Sequence, residues 1–155
     1  MNTVSAKSPN FDEPRLEKDG FHAMRARLGR QAGSVKTGLS LFKVSPGQAA
    51  YPYHWHAAEE EIVVVLSGRP SLRTPDGWRE MEEGEVICFR VGAEGAHQIV
   101  NRTDSPVRVL MLSSMIGPDI IEYLDTGKVY ATSVADEPIM LARPGPTVEY
   151  WEGEE

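Results

Sequence analysis

The chain has one cysteine, no long apolar run and a shortage of positive charge, and each of these narrows what it can be. Cys88 has no partner for an internal disulfide, and its neighbours Val86, Ile87 and Phe89 mark it as a small core residue. No apolar stretch in the 155 residues is long enough to cross a bilayer. The first twenty residues, MNTVSAKSPNFDEPRLEKDG, lack the apolar segment of a secretory signal, so a cytoplasmic protein is expected. With 16 lysines and arginines against 23 aspartates and glutamates the formal charge is −7. That balance argues against nucleic acid or an anionic membrane as partner, because a phosphate-binding surface normally carries net positive charge. Pro9, Pro14 and Gly20 punctuate a stretch with little apolar periodicity, which predicts an arm over residues 1–20, flexible or docked on a partner, and the absence of a second composition regime predicts one domain over residues 21–155.

What the sequence does contain is a series of short apolar segments broken by Gly and Pro about every ten residues. Gly38 to Val44 alternates apolar with small or polar residues and stops at Ser45-Pro46-Gly47; Glu61 to Leu66 is rich in β-branched residues and ends at Ser67-Gly68. Arg69 to Arg73 and Trp78 to Met81 flank a turn at Thr74-Pro75-Asp76-Gly77, and Val86 to Phe89 and Val107 to Leu112 read as further strands. The last two are apolar at successive positions, as expected where a second sheet covers one face and a partner subunit the other. Antiparallel strands in a sandwich or barrel follow from this spacing. His22, Arg25, Arg27 and Arg30 fall in a segment that reads as strand or helical turn, with surface solvation as their role. Asp119 to Leu124 is likewise ambiguous, and Tyr150 and Trp151 are expected to pack back on the domain or on a neighbouring subunit.

The stretch YPYHWHAAEEEIVVVLSG, Tyr51 to Gly68, carries the chemistry. Side chains alternate faces along a strand, so His54 and His56 point the same way and can converge on one ion, while a carboxylate at the start of the next strand can swing back onto it. Neutral imidazoles with a carboxylate suit zinc, iron, manganese, nickel or copper rather than the all-oxygen shells of magnesium and calcium. His97 opens a strand after the glycine-rich loop Gly92-Ala93-Glu94-Gly95, whose backbone can approach a bound ligand, and offers a third nitrogen. Asn101, four residues on, is suited to satisfying turn backbone. The same parity puts Tyr51, Tyr53 and Trp55 on the face opposite the histidines.

These segments resemble the two motifs of the cupin superfamily of small β-barrels. Gly47 is followed after six residues by His54-Trp55-His56, after four by Glu61 and after six by Gly68. The distance to Gly68 is what selects Glu61 from the three consecutive glutamates. Gly84 is followed after five residues by Arg90-Val91-Gly92, after four by His97 and after three by Asn101. Two departures stand out: Arg90 occupies the family's proline position, and the loop before His97 is two residues longer than the family pattern. The resemblance covers about residues 35–115. It implies an all-β, antiparallel double-stranded β-helix, the jelly-roll barrel of cupins, with an N-terminal arm and a short C-terminal extension. It further implies one divalent transition metal per chain, iron, manganese, nickel or zinc, held by His54, His56, Glu61 and His97. A homodimer is expected, both because small cupins resemble one another in pairing their sheets and because the apolar strands and the aromatic tail need cover.

Fold and ligand set do not select a reaction. The expectation is a metal-dependent enzyme, dioxygenase- or isomerase-like, acting on a small organic acid, aromatic or sugar derivative, with Arg90 and Gln98 as candidates for the substrate pocket. The alternatives are a small-molecule-binding or sensing barrel whose metal only orients the ligand, and a barrel whose metal is structural.

Overall fold

A computed structural model describes residues 2–11, 18–135 and 137–154. In chain order the elements are β1 (Ala23–Ala26), α1 (Leu28–Ala32), β2 (Gly38–Val44), β3 (His54–His56), β4 (Glu61–Ser67), β5 (Ser71–Thr74) and β6 (Gly77–Glu80). There follow β7 (Val86–Phe89), β8 (Gln98–Val100), β9 (Val107–Ser113), β10 (Asp119–Tyr123), β11 (Lys128–Thr132) and β12 (Pro138–Ala142). All strand pairs are antiparallel. One sheet has the order β1-β2-β9-β4-β7, a second β12-β11-β10-β3 and a third β6-β5-β8. A single bridge between His54 of β3 and His97 brings the second sheet beside the segment leading into β8, and another ties Ala49, in the β2–β3 connection, to Val100 of β8. The result is the expected jelly-roll barrel.

Period-two alternation explains how the long strands divide their side chains. Phe42 and Val44, Val63 and Val65, and Val107, Val109 and Met111 face inward, where they meet Leu72, Met81 and Ile99 in the barrel core. The alternate residues Leu39, Leu41, Leu66 and Leu110 face outward and form a second apolar layer with Ala26, Leu28, Val4, Ala6 and Phe11. Around Leu39, Leu41, Leu66 and Leu110 the outer faces of β2, β4 and β9 are therefore covered by the chain's own N-terminal segment and α1. Hydrogen bonds fix this layer: Gln31 Nε2 donates to the Asn10 carbonyl at 2.8 Å, and Arg108 Nη2 donates to the Ala6 carbonyl. Of the N-terminal arm, residues 12–17 lie outside the described residues.

Two other expectations change in the folded chain. Cys88 is exposed. It lies on β7, an edge strand whose inward residues are Ile87 and Phe89, so on the other face Val86 is 61% exposed as well. An apolar strand reads alike in sequence whether it lies at a sheet's centre or its edge. Tyr150 and Trp151 meet edge-on, with ring centroids 4.6 Å apart, and both stay exposed instead of packing back on the domain. The ambiguous segment from Asp119 is strand, because it pairs with β3 on one side and β11 on the other.

Candidate metal centre

β3 is only three residues long, yet it places the site. Its outer neighbour is β10, with Ile121 opposite His56 and Tyr123 opposite His54. On its other side the His97 N–H donates to the His54 carbonyl at 2.9 Å, which brings the start of β8 alongside. His54 and His56 are buried on one face with half-buried Trp55 between them. Glu61 opens β4 with its side chain on the inward face shared by Val63 and Val65.

Each imidazole is oriented through Nδ1. His54 Nδ1 lies 2.9 Å from the Pro52 carbonyl, His97 Nδ1 2.9 Å from the Gly95 carbonyl, and His56 Nδ1 2.6 Å from Asp119 Oδ2. A carbonyl only accepts, so Nδ1 of His54 and of His97 carries the proton and Nε2 keeps its lone pair. The rings are also boxed in. Phe89 stacks parallel on His97 at 3.8 Å, and the Tyr51 ring stands edge-on to His54 at 5.1 Å and to His97 at 5.5 Å.

The free nitrogens converge. His54 Nε2 is 3.1 Å from His56 Nε2, and Glu61 Oε2 is 3.1 Å from His97 Nε2, 3.5 Å from His56 Nε2 and 4.0 Å from His54 Nε2. Donors held at about 2.1 Å from one transition-metal ion stand roughly 3.0–3.4 Å apart, so two of these four edges have coordination length and a third, at 3.5 Å, is close to it. Glu61 Oε2 and His97 Nε2 are both buried with no hydrogen-bond partner. Two orphaned buried acceptors facing one point are a costly arrangement unless a cation meets them. His54, His56 and Glu61 form a buried group able to hold a metal, and nitrogen-rich donors with one carboxylate fit a divalent transition ion.

Electrostatics prepares the donors unequally. Burial, with the neighbouring His97 ring adding to it, holds His54 down to about 3, so it is neutral and ready to coordinate. For Glu61 burial pushes upward, but the contact with His97 and the surrounding imidazoles win and hold the carboxyl down to about 2. Burial also pulls His56 down, against which the hydrogen bond to Asp119 and the charges of Glu61 and Asp119 raise it above the ordinary histidine value. Asp119 is in turn lowered, its burial overcome by the bonds from His56 and the Ala58 N–H. The Ala58 N–H meets Asp119 Oδ1 at 2.8 Å, so both carboxylate oxygens are used.

A cavity of about 700 Å³ opens over His54, His56 and Glu61. His97, 1% exposed, lies behind them and outside its wall. Tyr51 lines the cavity although strand parity had put it on the opposite face: β3 begins only at His54, and the bend through Pro52 breaks the alternation. Tyr53 packs instead beneath the Arg73 guanidinium at 4.0 Å. Gln98 is buried and donates from Nε2 to the Tyr51 carbonyl at 3.2 Å, while Arg90 is exposed at the end of β7; neither lines the cavity. Asn101 is structural, donating to the Val44 and Ser105 carbonyls at 3.0 and 2.8 Å. The wall includes Arg25, Arg27 and Arg30, which sequence had left on the solvated surface, and Asp119, which carried no signal in the sequence.

Residues 40–113 match the family model of the cupin domain. Residues 40–113 therefore carry a cupin domain, and the fold along the rest of the described chain is that of cupin structures. None of the curated proteins matches it. Among solved structures it is similar to a sugar phosphate isomerase of the cupin superfamily from Silicibacter pomeroyi DSS-3, with TM-score 0.80 and 24% identity over 96% of this chain and 97% of that one. A candidate sugar phosphate isomerase from Acidithiobacillus ferrooxidans ATCC 23270 is similar to the same degree, with TM-score 0.80 and 23% identity over 95% and 96% of the two chains. The polyketide cyclase RemF from Streptomyces resistomycificus has TM-score 0.59 and 22% identity over 98% of this chain and 91% of that one. Identities this low carry the fold alone.

Proposed function

We propose that the protein is a metal-dependent enzyme of isomerase type acting on a small carbonyl- or hydroxyl-bearing molecule, with His54, His56, Glu61 and His97 as the metal ligands. The observation that carries this is the opening of the buried donor group onto a 700 Å³ cavity, a size that takes a small organic substrate. A structural ion would be closed off by its ligands. When bound, a divalent ion supplies Lewis acidity to a substrate oxygen. The chain's own residues do the rest: Tyr51 and Phe89 hold the imidazole rings, Asp119 fixes His56, and Glu59 and Tyr123 are wall groups able to hold or move a proton beside the site.

An isomerisation takes a proton from the hydroxyl-bearing carbon next to a carbonyl and returns it to the carbonyl carbon, while the hydroxyl proton passes to the carbonyl oxygen, so it needs neither oxidant nor reductant. That the two structures with TM-score 0.80 are named as sugar phosphate isomerases supports this class over a dioxygenase. The test is incubation of metal-loaded protein with sugars and sugar phosphates in deuterium oxide, followed by nuclear magnetic resonance. Metal-dependent deuterium uptake at the carbon beside the carbonyl is expected. Dioxygen consumption without exchange, or binding with no turnover under any transition metal, would overturn the proposal.

The same proposal includes a homodimer. Its support is β12, an edge strand whose Ile139, Met140 and Leu141 are exposed together. Such an edge is a template for pairing with another chain. Sedimentation as a monomer at micromolar concentration would defeat it.

A further inference from the structure

We infer that Arg25, Arg27 and Arg30 form an anion clamp that holds the phosphate group of a phosphorylated substrate at the end of the cavity away from the metal donors. The inference rests on the proposed function for the identity of the site, but it concerns a different wall, built by β1 and α1.

Arg25 lies on β1 opposite Phe42 of β2, and its neighbour Ala23 lies opposite Val44. Ala23, Phe42 and Val44 are all in the barrel core, so Arg25 shares the inward face of the strand. A half-buried guanidinium directed inward is unusual in a surface strand and costs desolvation unless an anion meets it. Arg27 immediately precedes α1 and Arg30 stands in its last turn. Close packing of α1 sets where they sit. A Cβ on Gly29 would come within 2.9 Å of the Leu39 backbone nitrogen, so only glycine lets the helix lie this tightly on β2. All three arginines line the same cavity as His54, His56 and Glu61.

The charge count of that cavity is informative in a protein of net charge −7. Against the three arginines its wall carries three carboxylates, Glu59, Glu61 and Asp119. Asp119 is used by His56 and the Ala58 N–H, and Glu61 lies among the histidines. A divalent ion at the donor group would leave the cavity net positive. Arg25 and Arg27 are already engaged within the fold, which holds them in place for a ligand that joins or replaces those contacts. Three guanidiniums and no lysine suit the paired hydrogen bonding of a phosphate dianion more than a single carboxylate.

Calorimetry of the metal-loaded protein with inorganic phosphate, and with acetate as the carboxylate probe, tests the clamp. The variants are Arg25→Gln, the double variant Arg27→Gln/Arg30→Gln, the control Arg69→Gln and the metal-site variant His56→Ala, each first shown to be folded by circular dichroism. Arg69 pairs on the surface with Glu80 and Glu82 and lies outside the cavity wall. The expected result is phosphate binding that weakens at least tenfold in the double variant, stays unchanged in Arg69→Gln, persists in His56→Ala and exceeds acetate binding. Arg27 and Arg30 are exposed, so the double variant remains informative if Arg25→Gln fails to fold. Equal phosphate binding in wild type and the double variant, loss of phosphate binding in His56→Ala alone, or acetate binding as tightly as phosphate would each overturn the clamp. None of these results bears on metal-dependent deuterium exchange. Loss of that exchange with phosphate binding intact would sink the isomerase reading and leave the clamp standing.

Discussion

His56 Nδ1 lies 2.6 Å from Asp119 Oδ2, a contact between side chains 63 residues apart that joins β3 to β10 behind the donor group. A carboxylate in this position fixes the ring's orientation and makes the far nitrogen a better ligand, and removing such a support typically costs ten- to hundredfold in metal affinity. Asp119→Asn keeps the size but loses the charge and one acceptor oxygen. The expected outcome is roughly tenfold or more weaker metal binding with the barrel intact, read by competition with a chelator of known affinity. Unchanged affinity would show that Asp119 merely ties β10 to the Ala58 backbone.

The metal-stripped protein should lose stability on acidification in a way that belongs to His54. Its folded-state value of about 3 lies below the ordinary 6.5, so the unfolded chain takes up that proton first. The stability due to neutral His54 is complete above pH 6.5 and is lost as pH falls towards about 3. Glu61, lowered from 4.5 to about 2, acts in the same direction between those two values. His56 is raised, so its contribution runs the other way: it is present below pH 6.5 and is lost as pH climbs through its folded value. Urea midpoints measured from pH 7 to pH 4 should therefore fall, and His54→Gln should flatten the slope. An equal slope in that variant would mean that the acid sensitivity arises elsewhere.

Asn101 is fully buried and bonds on every side. Its amide donates to the Val44 and Ser105 carbonyls, and its oxygen accepts from the Thr103 N–H at 3.0 Å and the Thr103 hydroxyl at 2.7 Å. Asn101→Ala would take these bonds from the Val44 carbonyl at the end of β2 and from the Thr103 N–H, while the Ser105 carbonyl keeps the Thr103 hydroxyl, at a cost of about 1–3 kcal/mol. Denaturant unfolding should show this loss with little change in metal occupancy. An equal loss of occupancy would give Asn101 a role at the site.

The barrel strands and the convergence of His54 with His56 were legible in the sequence because both follow from period-two alternation, a local property. Glu61 was legible from its position at the start of an apolar strand once the spacing to Gly68 singled it out. Asp119 was not, because its role depends on the pairing of β10 with β3, and nothing in residues 116–124 says that this strand returns to the histidines. Arg25, Arg27 and Arg30 were missed for a related reason: their direction is set by β1 pairing with β2 and by α1 resting on Leu39 through Gly29. Parity misled at Tyr51 because alternation was carried through Pro52, where the chain bends.

The glycine-rich loop before His97 offers the sharpest separation of backbone from side-chain effects. Its glycines close the loop on itself and tie it to β3, with the Gly95 N–H donating to the Gly92 carbonyl at 3.0 Å. The Gly92 N–H donates to the His56 carbonyl at 2.7 Å, and a Cβ on Gly95 would fall on the Arg90 carbonyl. The Gly95 carbonyl is also what holds His97 Nδ1. Gly95→Ala must therefore displace the loop and release His97 from its tautomer, lowering both unfolding stability and metal affinity. Gly92→Ala meets no neighbour but sits at φ 89° and ψ 176°, a region essentially confined to glycine, so its cost is backbone strain of about 1–3 kcal/mol, and it should leave metal affinity nearly intact if the loop keeps its path. Gly145→Ala, in open space, should change neither. Urea unfolding and metal titration of the three variants check the ordering. If Gly95→Ala binds metal as the wild type does, His97 does not depend on this loop for its orientation, and its place among the proposed ligands loses its support.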